Sequence, residues 1–124
     1  MQLLRIDHTA INVKNLQNTF DWYNKIFGFG IIHKWTHTWM IGNDVIKIGV
    51  FERPDASVIS DIDKNVIAIQ HFAFLTDKVG FENAVIEIDK MGIPHEPVED
   101  TGIALSIFLI DPDGHQVEIT TYHN

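Results

Sequence analysis

At 124 residues the chain has the length of one ordinary domain, enough to remove roughly two-thirds of its unfolded surface from water. Hydrophobic residues make up 45% and charged residues 21%, which excludes disorder. The absence of cysteine excludes thiolate catalysis and cysteine-held metal centres. A net charge of -8, with nine Lys and Arg scattered singly, argues against a nucleic-acid partner, because phosphate backbones require clustered cations.

In chain order, "IDHTAINV" (6–13) opens with the alternation of a half-buried strand. The stretch after it places Leu16, Phe20, Tyr23 and Phe27 on one helical stripe, and Gly28 follows as a stop. Three strand-like runs come next: "GIIHKW", "TWMI" and "DVIKIGVF". The polar, Pro-containing stretch at about 53–66 predicts a linker or functional loop. The order then repeats. "IQHFAFLT" (69–76) is a strand, and Phe81, Val85, Ile88 and Met91 form a stripe closed by Gly92. "HEPVED", "IALSIFLI" and "HQVEITTY" complete the set, with His95 beside Pro94 and Pro97 in a turn or edge segment. His8 and His71 lie 63 residues apart, and Gly28 and Gly92 lie 64 apart. The expectation is an α+β fold of two β-α-β-β-β modules, about 1–52 and 67–124, in one domain spanning 1–124. No apolar run has the length of a membrane span, and no signal-like segment opens the chain, so a cytoplasmic location without a membrane partner is expected.

Alternation also sorts the polar residues by face. With Ile11 and Val13 facing the helix, His8, Ala10 and Asn12 share the open side; with Phe72 and Phe74 packed, His71 and Ala73 do so too. In the last strand Val117 and Ile119 pack, which leaves Gln116, Glu118, Thr120 and Tyr122 on the open face. His8, His71 and Glu118 thus make a two-histidine, one-carboxylate set. Such a set binds a divalent metal and leaves coordination positions for water or substrate. His115, by contrast, falls in the turn and reads as structural.

With "DHTAINV", "FDWYNKIFGF", "QHFAF" and "DPDGHQVEI" on one chain, the pattern resembles the vicinal-oxygen-chelate superfamily of glyoxalase I, extradiol dioxygenases, epimerases, fosfomycin-inactivating enzymes and bleomycin-binding proteins. The resemblance implies the glyoxalase/bleomycin resistance/dioxygenase fold, a curved mixed sheet around a cleft. It also implies a homodimer, a small-molecule substrate, and Fe, Mn, Zn, Ni or Co held by His8, His71 and Glu118. Aligning "GNDVIKI" with "DGHQVEI" sets Lys47 opposite Glu118, where glyoxalase-type members have a fourth ligand. A lysine there would bind an anionic substrate instead. Phe108 stands where ring-cleaving dioxygenases and fosfomycin thiol transferases carry a tyrosine. The expected function is a metal-dependent enzyme, closest to the dioxygenase branch, with Lys47, Phe108, Thr120 and Tyr122 touching substrate. The alternatives are a non-catalytic drug-binding protein, a glyoxalase or epimerase-type enzyme, and a partner-binding or regulatory module.

Overall fold

In each half a helix is laid over a sheet whose first and last strands run parallel side by side, a crossover that the helix makes possible. The structure, a computed structural model, describes residues 1–59 and 66–124; residues 60–65 of the expected linker lie outside them. The chain divides into two units, Met1–Val58 and Ile59–Asn124.

The first module runs β1 (Thr9–Val13), α1 (Leu16–Phe27), β2 (Gly30–Lys34), β3 (Thr38–Gly42) and β4 (Lys47–Glu52), in the sheet order β1-β4-β3-β2. Asn15 caps α1 by accepting the Asn18 N–H at 2.8 Å. The Leu16 N–H, another donor without a helical partner, goes to the Glu52 carboxylate at 3.2 Å. Gly28, at φ 71°, ends the helix. The stripe lands as the spacing predicts: Leu16 and Tyr23 are buried and Phe20 and Phe27 half-buried. They cover Ile11, Val13, Ile41, Ile48 and Val50, all buried, each side chain contributing roughly 1.5–3 kcal/mol.

The second module runs β5 (Phe72–Leu75), α2 (Lys78–Lys90), β6 (Glu99–Asp100), β7 (Ala104–Ile110) and β8 (Gln116–Tyr122), ordered β5-β8-β7-β6. Phe81 and Ile88 of α2 are buried, as are Ile107, Leu109, Val117 and Ile119 of the sheet. The run "HEPVED" yields only two strand residues, since Pro97 has no N–H to give a ladder. His8 and His71 stand one residue before β1 and β5 rather than within them. No helix among the described residues is long and apolar enough to cross a membrane.

The two hairpin turns differ by one residue, and the difference shifts the register. Gly42 pairs with Lys47 across Asn43 to Ile46, whereas Ile110 pairs with Gln116 across Asp111 to His115. In both turns a side-chain oxygen collects backbone N–H groups: Asn43 Oδ1 from Val45 and Ile46, and Asp111 Oδ1 from Asp113 and His115. The structural counterpart of Asp111 is therefore Asn43. Lys47 begins its strand as Gln116 begins the other.

Two outcomes follow. At φ 145°, a Cβ on Gly42 would lie 1.9 Å from the Ile46 carbonyl oxygen, whereas one on Gly28 meets nothing within 4 Å. Gly42→Ala should therefore cost more than the ~1 kcal/mol expected of Gly28→Ala, a difference that urea unfolding of the two variants measures. Beyond α2, His95 donates from Nε2 to Asp89 at 2.6 Å and from Nδ1 to the Glu96 carbonyl at 2.7 Å. The Asp89 hydrogen bond, and after it the Glu96 carbonyl, raise the His95 pKa above its usual 6.5. A raised folded-state value means that this pair stabilises fully below pH 6.5 and is lost as pH climbs through the raised value. Imidazole NMR should show His95 titrating late, and His95→Gln should flatten that part of the stability profile.

Candidate active site

The parallel register decides what faces what. In module two Ala73 pairs with Glu118, and Glu118 pairs across the hairpin with Phe108, so all three share one face. Ser106 and Thr120 pair on that same face, as do Ala104 and Tyr122. Opposite them, Val117, Ile119 and Thr121 are buried on the helix side.

His71, just ahead of β5, meets Glu118 on this open face. Its Nε2 lies 3.0 Å from Glu118 Oε1, and its Nδ1 lies 3.1 Å from Gln70 Oε1. A neutral imidazole carries one N–H: on Nε2 it goes to Glu118, and the Gln70 amide group, turned over, donates to Nδ1; on Nδ1 it goes to the Gln70 oxygen, and the Nε2 lone pair faces the carboxylate. The Phe108 and His71 rings stand perpendicular, 88° between their planes, with centroids 5.5 Å apart. Glu118 Oε2 accepts from the Ser106 hydroxyl at 2.9 Å. Thr120 gives its own proton to the Leu105 carbonyl at 3.0 Å, and Tyr122 is exposed at the end of the strand.

Module one carries a related group. His8 Nδ1 donates to Asp7 Oδ2 at 2.9 Å, which leaves Nε2 as the lone-pair nitrogen. Asp7 Oδ1 also lies 3.7 Å from Lys47 Nζ. The His8 hydrogen bond, then the Lys47 charge, lower the Asp7 pKa below its ordinary value. Extending the β1–β4 register by one residue sets Lys47 beside His8, while Ala10 pairs with Gly49. Gly49, not Lys47, therefore occupies the place in module one that Glu118 holds in module two. The slip in the sequence alignment is two residues: matching "GND" to "DGH" sets Asn43 opposite Gly114, three residues beyond its counterpart Asp111, and the extra residue of the second turn recovers one of the three. Met40 also pairs with Gly49 on the open face, whereas Trp39 is on the helix side, against Phe20 of α1.

Among the described residues no group of three or more His, Cys, Asp or Glu side chains is assembled to hold a metal. The donor chemistry nevertheless fits. In octahedral coordination two metal bonds of about 2.1 Å hold adjacent donor atoms about 3.0 Å apart, the separation of His71 Nε2 from Glu118 Oε1, which is equally that of a hydrogen bond. Asp7, Gln70 and Ser106 were not evident as site residues from alternation. Asp7 and Gln70 each precede a histidine, a repeated position that signals them in retrospect; Ser106 has no such signal.

The family model of the Glyoxalase/Bleomycin resistance protein/Dioxygenase superfamily matches residues 5–119. Solved structures share the fold. A glyoxalase/dioxygenase from Nostoc punctiforme is 24% identical, with 97% of this chain and 92% of that one covered at a TM-score of 0.78. A glyoxylase/bleomycin resistance protein/dioxygenase domain from Frankia sp. EAN1pec is 15% identical, covering 99% and 95% at 0.79. The fosfomycin resistance protein FosX from Listeria monocytogenes, complexed with Mn(II) and sulfate, is 20% identical, covering 98% and 92% at 0.75.

The Asp7 pair offers a direct check. Carboxyl NMR should show Asp7 titrating below an ordinary aspartate. His8→Gln should move it up further than Lys47→Met, because the hydrogen bond is the larger cause. An ordinary Asp7 titration in the wild type would mean that the pairing does not form.

Proposed function

The chain belongs to the Glyoxalase/Bleomycin resistance protein/Dioxygenase superfamily, and on that footing we propose a metal-dependent enzyme that works as a single-domain, cytoplasmic homodimer on a small molecule chelated through neighbouring oxygens. His8, His71 and Glu118 are the proposed ligands. The observation that carries the reading is the 3.0 Å approach of His71 Nε2 to Glu118 Oε1, a separation compatible with adjacent ligands of an octahedral ion. A bound Fe, Mn, Zn, Ni or Co ion supplies Lewis acidity toward substrate oxygens or, in the case of iron, redox chemistry with dioxygen.

The chain's own residues do the rest. Asp7 and Gln70 occupy the Nδ1 atoms of the two histidines, which orients each Nε2 as the ligating atom. Glu118 contributes the one negative charge of the set. Phe108 stands perpendicular to the His71 ring and presents an apolar wall to a substrate. Lys47, held at 3.7 Å by Asp7, attracts an anionic group on the substrate, while Thr120 and Tyr122 line the open face of β8. Gly49 at the counterpart of Glu118 leaves module one without a fourth ligand, which would be the second carboxylate. That favours dioxygenase-like chemistry over a glyoxalase-type isomerisation, which needs a carboxylate base.

A second reading, a binder of small ligands without catalysis, is favoured by the His71–Glu118 contact itself, which one proton on Nε2 closes without any metal. Metal content separates the two. Protein purified without chelator should carry metal, and Mn(II), the ion of the Listeria protein, should raise its melting temperature. Glu118→Gln should weaken Mn(II) binding at least ~10-fold. Absence of bound metal, no stabilisation by Mn(II), Fe(II), Co(II), Ni(II) or Zn(II), and an indifferent Glu118→Gln variant would leave the binder.

A further inference from the structure

Ser106 is a buried hydroxyl, 3% exposed, in a strand whose neighbouring buried positions are apolar, and the proposed ligand set does not include it. We propose that Ser106 is a positioning residue that makes Glu118 a one-oxygen ligand; this rests on the metal reading above.

The argument is a count of protons. Three contacts connect Ser106, Thr120 and their neighbours: Ser106 Oγ to Glu118 Oε2 at 2.9 Å, Ser106 Oγ to Thr120 Oγ1 at 3.2 Å, and Thr120 Oγ1 to the Leu105 carbonyl at 3.0 Å. Only two hydroxyl protons are available to them. The Leu105 carbonyl is purely an acceptor, so the Thr120 proton goes there. The Ser106 proton then goes to the carboxylate, the shorter contact and the charge-assisted one. Thr120 Oγ1, its proton given to Leu105, is left only as a longer, neutral acceptor at 3.2 Å, and Ser106 stays aimed at Glu118.

The consequence falls on the carboxylate. Oε2 is held by Ser106 on one side, and Oε1 is left facing His71. With its side chain only 12% exposed, Glu118 has little room to choose another orientation. An unrestrained glutamate rotates freely about its last bond and offers either or both oxygens to a metal. Ser106 removes that freedom, keeps a coordination position open that a second oxygen would fill, and presets the donor spacing.

The test uses Mn(II) on the full chain, with affinity from calorimetry and ligation mode from infrared difference spectra of the glutamate carboxylate. The antisymmetric and symmetric stretches stand far apart for one-oxygen ligation and close together for two. The wild type should show the wide splitting. Ser106→Ala should bind Mn(II) about 10-fold more weakly with a narrowed splitting, and Ser106→Thr, which restores a hydroxyl, should recover both. A role confined to strand packing would alter melting temperature but not the splitting. If Ser106→Ala does not fold by circular dichroism, Ser106→Cys, of similar size and a poor donor, replaces it. Wild-type affinity and splitting in the folded variant, while Glu118→Gln abolishes binding, would overturn the role of Ser106 alone. Failure of the wild type to bind Mn(II) would overturn it together with the metal reading.

Discussion

The parallel pairing of the first strand with the last in each module is the constraint from which the site follows. It places Ala73 against Glu118 and Ala10 against Gly49, with a histidine two residues upstream of each alanine on the same face. Parallel neighbours cannot be joined by a tight turn, so a helix must cross over between them. That helix buries one face of the sheet and leaves the other open. Tyr23, Ile41, Ile48, Val50 and Val13 in the first module, and Ile88, Ile107, Leu109 and Val117 in the second, are almost wholly withdrawn from solvent. A one-residue slip in any of these strands would turn its apolar set outward, so the hydrophobic packing that stabilises the fold also fixes which polar side chains face outward.

Much of this was legible in the residue order because the apolar positions repeat at 2 along the strands and at 3.6 along the helices. Leu16, Phe20, Tyr23 and Phe27 announce α1, and Val117 with Ile119 announces the orientation of Glu118. The residue order sets Lys47 against Glu118 only because the turns look alike; the register gives that place to Gly49. "GND" and "DGH" share glycine and aspartate, yet the residues that organise the turns are Asn43 and Asp111, and the second loop holds one residue more. Alternation preserves face but not register, so Lys47 was assigned to the right surface and the wrong row. Ser106 was invisible for another reason. A serine inside an apolar strand reads as a small core residue until the hydrogen bond to Glu118 shows its direction.

The two modules share an architecture and differ in chemistry. In module one a carboxylate stands between two cationic or potentially cationic groups, His8 and Lys47, and its charge is largely compensated on the spot. In module two the carboxylate is the partner of the histidine itself and carries no compensating lysine, with Gln116 where module one has Lys47. Among the described residues the carboxylate of the second module's open face therefore has no ammonium group beside it, whereas that of the first does. The difference arises from two positions: Gly49 against Glu118, and Lys47 against Gln116.

Cost, finally, distinguishes a site from ordinary strand polarity. Burying a hydroxyl without a partner costs on the order of 1–3 kcal/mol, and alanine at 106 would avoid that risk with nearly the same volume. Folding stability by itself gives no reason for serine there. The hydrogen bond that satisfies it leads to Glu118, whose side chain is also mostly buried and would itself be destabilising without donors. Ser106, Glu118 and His71 are thus mutually dependent: the serine satisfies one carboxylate oxygen, the histidine faces the other, and the Phe108 ring stands perpendicular to the imidazole. Networks of this kind are worth keeping in a core when the geometry they enforce is used, and the geometry enforced here is a carboxylate oxygen and an imidazole nitrogen held 3.0 Å apart.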